Sequence, residues 1–180
     1  MSRTNPSKNK RRWARNTLLL YCEGSDEKAF LGYLKEFFAK DSGIAVTIKE
    51  NHGGGANEVL RGVLKHDLLD NNACIYDTDT GVDIEIKQKV EKKGILCLEN
   101  KPCLEAFLLN ILEEKDYSNY KKCNRCKKIF ELKYLDKRKR KDKRNYEKIF
   151  PKELLLKNTK KIENLKTLIS LINGDYVNKN

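Results

Sequence analysis

Acidic side chains stand at the ends of two apolar segments of this sequence, where they could bind a metal ion. Glu23 follows the apolar run LLLYC, and Asp77 and Asp79 follow the run ACIY. Burying an unpaired carboxylate costs several kcal/mol, so an acid at the end of a buried strand is expected to have a partner or a catalytic role. Neighbouring carboxylates repel each other, and Mg²⁺ or Mn²⁺ bound between them would relieve that repulsion. We therefore predict that these three acids form a metal site.

The residues around these acids allow structural interpretations as well. Asp77 and Asp79 are two residues apart, so on an extended strand their side chains point to the same face. The segment DTDTG could instead form a turn, because Asp and Gly favour turns. Asp26 and Glu27 are either further acids of the site or residues that complement the dipole of a helix in its first turn. Gly24 is predicted to allow a tight strand-to-helix turn and a close approach of a ligand to the backbone.

Glu105 is a fourth acid that lies among apolar residues. It lies in the segment 101–112, whose apolar periodicity predicts a helix with Pro102 near its first turn. An acid on so apolar a helix is expected to face inward. The alternative is an ion pair with Lys101, which lies one turn earlier.

Hydrophobic periodicity predicts the elements that must position these acids. The predicted strands cover 17–22, 44–50, 72–81 and 94–100, and the predicted helices cover 25–40, 57–69, 83–92, 101–112 and 159–173. Alternation of strands and helices implies an α/β fold with a mostly parallel sheet flanked by helices. Ligands bind beyond the carboxyl ends of the strands in such sheets, and three of the four strands have acids there. We therefore expect Glu23, Asp77, Asp79 and Glu99 to meet at one edge of the sheet.

A glycine-rich stretch, NHGGGANE, precedes the second predicted helix. Gly53, Gly54 and Gly55 could offer backbone N–H groups to a phosphate near the N-terminus of that helix. His52 is a further candidate for phosphate contact. The stretch is not a Walker motif, because no Gly-Lys-Ser/Thr follows, and a flexible loop is the alternative interpretation.

Cys123 and Cys126 form a C-x₂-C pair, which is half of a typical zinc site. A structural zinc site needs four ligands, and no second Cys or His pair follows in the sequence. Cys103 could join the pair only if the chain folds back. We therefore interpret these cysteines as the start of a helix that packs beneath the basic segment.

The net charge of +12 is unevenly distributed. Residues 1–16 contain six Lys or Arg and no acid, residues 17–120 contain 12 basic and 19 acidic residues, and residues 121–180 contain 20 basic and seven acidic residues. We predict a flexible basic arm over 1–16, an α/β core over 17–120 and a basic helical extension over 121–180. Two basic ends around an acidic core favour binding to a polyanion such as nucleic acid. A metal ion would then lie between the polyanion and the carboxylates of the core.

The segment 133–148 is the strongest candidate for contact with nucleic acid. The predicted phosphate contacts are Lys137, Arg138, Lys139, Arg140, Lys141, Lys143 and Arg144. Tyr134 and Tyr146 are interleaved with them and could stack on bases. The alternative is a solvated surface that keeps the protein soluble. No base-reading motif is present, so no sequence specificity is predicted.

Composition also bears on location. No run approaches the roughly 18 apolar residues of a membrane span. No apolar signal-peptide region and cleavage site follow the basic N-terminus. We expect a cytoplasmic protein that has no membrane partner.

The Glu-Gly and Asp-x-Asp elements together give the sequence a resemblance to Toprim domains. In that family a strand ending in Glu-Gly, here LLYCEGSDEKAFL, precedes a strand ending in Asp-x-Asp, here ACIYDTDTG. The segment CLENKPCLEAFLLNIL resembles the SNPCFE signature of RloB-family proteins, although residue 99 is Glu where the signature has Ser. The box EGSDE is closer to OLD-type nucleases than to the EGEKTE of RloB proteins. The resemblance covers about residues 17–115 and leaves the subfamily open.

The resemblance implies a Toprim-like, Rossmann-like fold and a Mg²⁺- or Mn²⁺-dependent nuclease that hydrolyses phosphodiester bonds of RNA, tRNA among the candidates, or of DNA. It implies metal binding by Asp77 and Asp79, a general acid–base or metal-proximal role for Glu23, and a catalytic acid at Glu105. Such nucleases occur in bacterial antiviral defence beside an ATPase partner. Two alternatives stay open: a non-catalytic module that binds nucleic acid or an ATPase, and a primase-like nucleotidyl transferase.

Overall fold

The computed structural model describes residues 16–114 and 122–176, so most of the predicted N-terminal arm lies outside the described residues. The strands are β1 Asn16–Cys22, β2 Ile44–Glu50, β3 Asn71–Asp77 and β4 Ile95–Asn100. The helices are α1 Ser25–Phe38, α2 Gly55–Val63, α3 Ile84–Lys92, α4 Leu104–Ile111, α5 Cys123–Lys133, α6 Arg144–Glu147, α7 Lys152–Asn158 and α8 Glu163–Asn173, with a 3₁₀ turn at Lys137–Lys139.

All four strands are parallel and lie in the order β2-β1-β3-β4. This confirms the predicted α/β class with a parallel sheet, which is Rossmann-like. The chain runs from β1 to one neighbour and then returns to the other, so the strand order reverses between β1 and β3. Cys22 is paired with Ile75, so Glu23 and Asp77 leave the sheet at neighbouring positions. This reversal point is where α/β sheets bind ligands.

Each face of the sheet has its own hydrophobic core, because successive strand residues point to opposite sides. Leu18, Leu20 and Cys22 pack on one side with α1 and α4. Tyr21, on the other side, packs with residues of α2 and α3. Continuation of this alternation places Asp77, two residues after Ile75, on the side of α1 and α4.

The helices after residue 122 pack on the first face of the sheet and share its core. Phe130, Tyr146 and Phe150 are fully buried there. The ring centroid of Phe30 in α1 lies 5.5 Å from that of Tyr146 and 5.6 Å from that of Phe150. The prediction that Tyr146 stacks on nucleic-acid bases is therefore wrong, since its ring is part of the aromatic core.

The third strand ends earlier than the predicted segment 72–81. It stops at Asp77, because the backbone N–H of Thr78 donates to the carbonyl groups of Asn100 and Pro102. Asp79 consequently lies in the turn after β3 and not on an extended strand.

Among the described residues, no helix combines the length and the apolarity needed to cross a membrane.

Candidate functional site

Glu23 is held at the carboxyl end of β1 by the glycine loop that follows β2. The backbone N–H of Gly53 donates to the carbonyl of Glu23 at 2.8 Å, and the N–H of Gly55 donates to its Oε1 at 3.3 Å. Gly53, Gly54 and Gly55 all have positive φ angles, of 93°, 105° and 72°. Such angles strain other residues, so the glycines allow the loop to wrap around the acid.

Most of the backbone N–H groups that were predicted to bind phosphate are therefore hydrogen-bonded within the protein. The N–H groups of Gly53 and Gly55 are bound to Glu23, and the N–H of Gly24 donates to Oε2 of Glu27 at 3.1 Å. Gly24 has an extended backbone, with φ −152°, which does not require glycine. Gly24, Gly53 and Gly55 are corrected from phosphate contacts to backbone that orients two acids, because each of their N–H groups already donates to an oxygen of Glu23 or Glu27. The phosphate contact predicted for Gly54 stays a prediction.

Asp77 is buried beside the start of α4. Its Oδ1 accepts hydrogen bonds from Asn100 Nδ2 at 3.2 Å and from the backbone N–H of Leu104 at 2.9 Å. Burial raises the pKa of Asp77 to about 8, and the negative charges of Glu27, Glu23 and Glu105 contribute in the same direction. Without a cation, the Asp77 carboxyl therefore holds a proton at neutral pH.

Glu27 is a further buried acid near Glu23 and Asp77. The sequence left open whether it belongs to the site or complements the helix dipole. It lies in the first turn of α1 and is 8% exposed. Burial raises its pKa to about 7, with further contributions from Glu23, Asp26 and Glu105. A hint was present in the sequence, because an acid three residues after a helix N-cap often turns back to the cap backbone. Its burial among other acids depends on packing and had no sequence signal.

Glu105 faces inward, as predicted, and its partner comes from the basic segment. Arg140 Nη1 lies 2.5 Å from Glu105 Oε1, and each residue is 4% exposed. The same guanidinium lies 3.8 Å from Asp26. Arg140 is therefore corrected from a nucleic-acid contact to a buried counter-ion. The alternative pair of Glu105 with Lys101 does not form, since Lys101 pairs with Glu99 at 3.1 Å.

Two buried carboxylate oxygens have no hydrogen-bond partner within the described residues, namely Glu23 Oε2 and Glu105 Oε2. Both belong to acids that the sequence identified as catalytic candidates. An unsatisfied buried oxygen costs free energy, so these two oxygens indicate positions where a hydrogen-bond donor or a cation would bind.

Asp79 and Glu99 lie differently from the prediction. Asp79 is exposed, and its carboxylate interacts with the thiol of Cys123. Its assumed alignment with Asp77 on an extended strand does not hold, because β3 has already ended. Glu99 pairs with Lys87 at 2.9 Å and with Lys101, and these lysines lower its pKa. Glu99 is therefore neutralised by lysines near the end of β4, and it does not belong to the cluster of buried acids around Asp77.

The C-x₂-C pair begins helix α5, as we interpreted it. Cys123 and Cys126 are both buried there. No disulfide joins the six cysteines, all of which lie in the described residues. The chain does fold back, and it brings Cys123 close to Cys103, Asp77 and Glu105.

The remaining predicted phosphate contacts are exposed. They are Lys137, Arg138, Lys139, Lys141, Lys143 and Arg144. Lys143 pairs with Glu36, and Arg144 pairs with Asp142 at 2.6 Å. A groove of about 1150 Å³, lined by Lys28, Lys35, Lys141 and Lys143 among others, runs between α1, β2 and residues 141–143. Ser25, two residues after Glu23, also lines the groove.

Comparisons with protein-family models, with curated proteins and with solved structures found no match to this chain. The functional argument therefore rests on the geometry of the acids and on the charged surface beside them.

Proposed function

We propose that this protein is a metal-dependent nuclease that hydrolyses phosphodiester bonds at the carboxyl ends of β1 and β3. The observation that carries the proposal is the unpartnered buried oxygen Glu23 Oε2, whose carboxylate acts electrostatically on the buried Asp77. Several buried acids without enough counter-charge favour a divalent cation, and phosphodiester hydrolysis is a reaction for which such a site is suited.

The donor set fits Mg²⁺ or Mn²⁺ in part. Glu23 and Asp77 are the residues that would hold the ion, with Glu27 close enough to raise the pKa of Asp77. Asp79, exposed in the turn after β3, is proposed as an outer ligand only. When bound, the ion would neutralise charge on a phosphate oxygen and lower the pKa of a water molecule.

The chain's own residues have defined tasks in this proposal. Gly55 fixes one oxygen of Glu23 and leaves Oε2 to orient a water molecule. Glu27, with a pKa of about 7, takes up or releases a proton near neutral pH, which suits a general acid–base. Arg140 forms a buried ion pair with Glu105 and offsets its negative charge.

The charged surface supports a nucleic-acid substrate. Six basic residues between Lys137 and Arg144 are exposed, and two of them, Lys141 and Lys143, line the groove that also includes Ser25. A surface of this kind binds the phosphate backbone irrespective of sequence. RNA, tRNA and DNA are all compatible with it. A role in antiviral defence and an ATPase partner follow from the Toprim and RloB resemblance and are proposed on that ground.

Cleavage assays on the full chain test the proposal. Labelled tRNA, single-stranded RNA and duplex DNA would be incubated with Mg²⁺, with Mn²⁺ or with a chelator. We expect metal-dependent cleavage by the wild type that falls at least about 100-fold in Glu23→Gln and Asp77→Asn. Glu99→Gln is the matched control, because this acid ends β4 and is neutralised by lysines. Equal activity in all three variants would contradict the proposed site.

The assay also separates the two alternatives. A binding module would retain salt-sensitive affinity for nucleic acid and show no turnover with either metal. A nucleotidyl transferase would consume nucleoside triphosphates and extend a primer. The nuclease proposal requires shortened products without triphosphates.

A further inference from the structure

Two thiols and two carboxylates meet beneath the acidic site, on the side of α4 and α5. The four ligand atoms, one each from Asp77, Cys103, Glu105 and Cys123, lie within 4.8 Å of one another, and all four residues are buried. The residues come from three parts of the chain: the end of β3, the start of α4 and the first residue of α5. The group therefore exists only in the folded protein.

The backbone around the group keeps the thiols close to the acids. The thiol of Cys103 lies 3.9 Å from the carbonyl oxygen of Cys123. Asp77 is fixed by Asn100 and by the N–H of Leu104, the residue that follows Cys103. Cys126, one turn further along α5, also interacts with the thiol of Cys103.

Glu105 supplies an independent indication that this group binds a ligand. It is 4% exposed; its Oε1 is bound to Arg140, and its Oε2 has no hydrogen-bond partner within the described residues. A buried carboxylate oxygen left without a donor is destabilising unless something occupies that position.

The ligand types select the metal. Thiolates favour zinc over magnesium, which prefers oxygen ligands. In a tetrahedral zinc site the ligand atoms lie about 3.3–3.8 Å apart, given Zn–S of about 2.3 Å and Zn–O of about 2.0–2.2 Å. A group already within 4.8 Å needs only small side-chain rotations to close around an ion.

We propose that Cys103, Cys123, Glu105 and Asp77 bind one Zn²⁺ ion, which ties the first turn of α5 to the sheet. Four protein ligands make a closed, structural site. Arg140 offsets part of the negative charge that two thiolates and two carboxylates would bring together. Asp77 would be shared, since it is a ligand in this group and also one of the two acids that would hold the proposed Mg²⁺ ion at Glu23.

The proposal is tested on the full chain by metal binding. The protein would be stripped with a chelator under reducing conditions, checked for folding by circular dichroism, and titrated with Zn²⁺ and with Co²⁺. We expect one equivalent of Zn²⁺ per chain and a Co²⁺ spectrum with thiolate charge-transfer and tetrahedral ligand-field bands. Cys103→Ser and Cys123→Ser should each weaken Zn²⁺ binding by more than about 100-fold, because loss of a ligand's hydrogen-bond partner alone costs about 10–100-fold.

Cys97→Ser is the matched control, because this cysteine lies in β4 beside Cys74, outside the group. Its Zn²⁺ affinity and Co²⁺ spectrum should equal those of the wild type. Zinc binding that is equally weakened in Cys97→Ser, or unchanged in Cys103→Ser and Cys123→Ser, overturns the proposal.

X-ray absorption at the zinc edge of the wild type needs no variant and covers the case in which the serine variants do not fold. Two sulfur and two oxygen neighbours are expected, with Zn–S of about 2.3 Å. Absence of bound zinc, or a first shell without sulfur, overturns the proposal. Neither readout uses cleavage activity, so a protein without nuclease activity can still bind zinc here, and an active protein can lack zinc.

Discussion

Arg140 and Glu105 form a buried ion pair, with Nη1 2.5 Å from Oε1, across 35 positions of sequence. The arginine belongs to the most basic stretch of the chain, and the acid belongs to the most apolar helix. The pair joins the helices after residue 122 to the acidic site at the end of β3. One positive charge is thereby placed where Asp26, Glu105 and Glu131 all lie within 4 Å.

Arg140→Ala is predicted to destabilise the protein strongly. The substitution leaves Glu105 buried without its counter-ion, which typically costs about 3–5 kcal/mol of the free energy of unfolding. Urea denaturation followed by circular dichroism measures this loss. Arg138→Ala, two residues earlier and exposed, is the control and should change the stability by less than about 0.5 kcal/mol.

A double variant sharpens this test. In Arg140→Met with Glu105→Leu both charges are removed, so much of the lost stability should return. If Arg140→Ala left the stability unchanged and lowered only the affinity for nucleic acid, the guanidinium would not be the buried counter-ion described here.

The metal-free protein is predicted to lose stability as the pH rises. Folding raises the pKa of Asp77 to about 8 and that of Glu27 to about 7. Between the unfolded pKa values near 4 and these folded values, the folded state binds more protons, so the free energy of unfolding falls with increasing pH. The slope is at most about 1.4 kcal/mol per pH unit for each group. The stability that the protonated acids provide is fully present only below about pH 4, and it is lost as the pH rises through the pKa values of the folded state.

Chemical denaturation in chelator at several pH values between about 5 and 8.5 measures this slope. Asp77→Asn should flatten it, and Asp41→Asn, exposed before β2 at the opposite end of the sheet, should not. Added Mg²⁺ should stabilise the wild type more at pH 8 than at pH 6, because the ligands must lose their protons. A wild-type slope that Asp77→Asn leaves intact would exclude these acids as its source.

Two helical glycines are predicted to respond to alanine with opposite signs. A Cβ at Gly62 in α2 would lie 2.5 Å from Asn51 Oδ1 and 2.6 Å from the Tyr21 hydroxyl, which are hydrogen-bonded to each other. Gly62→Ala should therefore destabilise the protein by about 1–3 kcal/mol. A Cβ at Gly32 in α1 would meet only Lys143 at 3.6 Å, so Gly32→Ala should stabilise by up to about 1 kcal/mol.

Thermal denaturation distinguishes the two variants. Asn51 also holds the carbonyl of Gly53 through its Nδ2, at 2.8 Å, so displacing Asn51 should disturb the loop around Glu23. Metal-dependent cleavage is consequently expected to fall in Gly62→Ala and to persist in Gly32→Ala. Stabilisation in both variants would contradict the packing around α2.

The exposed basic residues are predicted to bind nucleic acid without supporting the fold. Replacing Lys137, Arg138 and Lys139 together by alanine should weaken binding and reduce the slope of log affinity against log salt by about one for each lost phosphate contact. Fluorescence anisotropy with labelled RNA and DNA at several salt concentrations measures both quantities.

The control removes the same charge elsewhere. Lys89, Lys92 and Lys93 are exposed at the end of α3, on the other side of the sheet. Their triple alanine variant should keep most of the affinity and the salt slope. Equal losses in the two triple variants would indicate that net charge, rather than this surface, governs the binding.

Much of the fold could be predicted from local patterns. The four strands begin and end within a few residues of the predicted segments, because buried parallel strands are short apolar runs bounded by polar residues. Parallel strands place Glu23 and Asp77 at the same edge of the sheet, whereas their adjacency depends on the pairing of β1 with β3. The inward orientation of Glu105 was indicated by its apolar neighbours on the helix.

Other features depend on contacts between distant segments. The sequence of the basic segment does not indicate that Arg140 and Tyr146 are buried while their neighbours are exposed. A run of lysines and arginines shows no hydrophobic periodicity from which burial could be predicted. The glycine loop was predicted to be open to phosphate, yet the N–H groups of Gly53 and Gly55 donate to Glu23. Asp79 was predicted to lie on the same strand as Asp77. This prediction was wrong because β3 ends where Thr78 bonds to Asn100 and Pro102, and these residues are far along the chain.

The α/β class, the succession of strands and helices along the chain and the acids at the strand ends can be predicted from the sequence, because hydrophobic periodicity and side-chain charge are local properties. Tertiary contacts are needed to show which of those acids lie together, which basic residue is buried among them and that Cys103 lies close to Cys123. These outcomes are set by packing between segments that lie 20 or more positions apart, where burial changes both the pKa of an acid and the availability of a backbone donor.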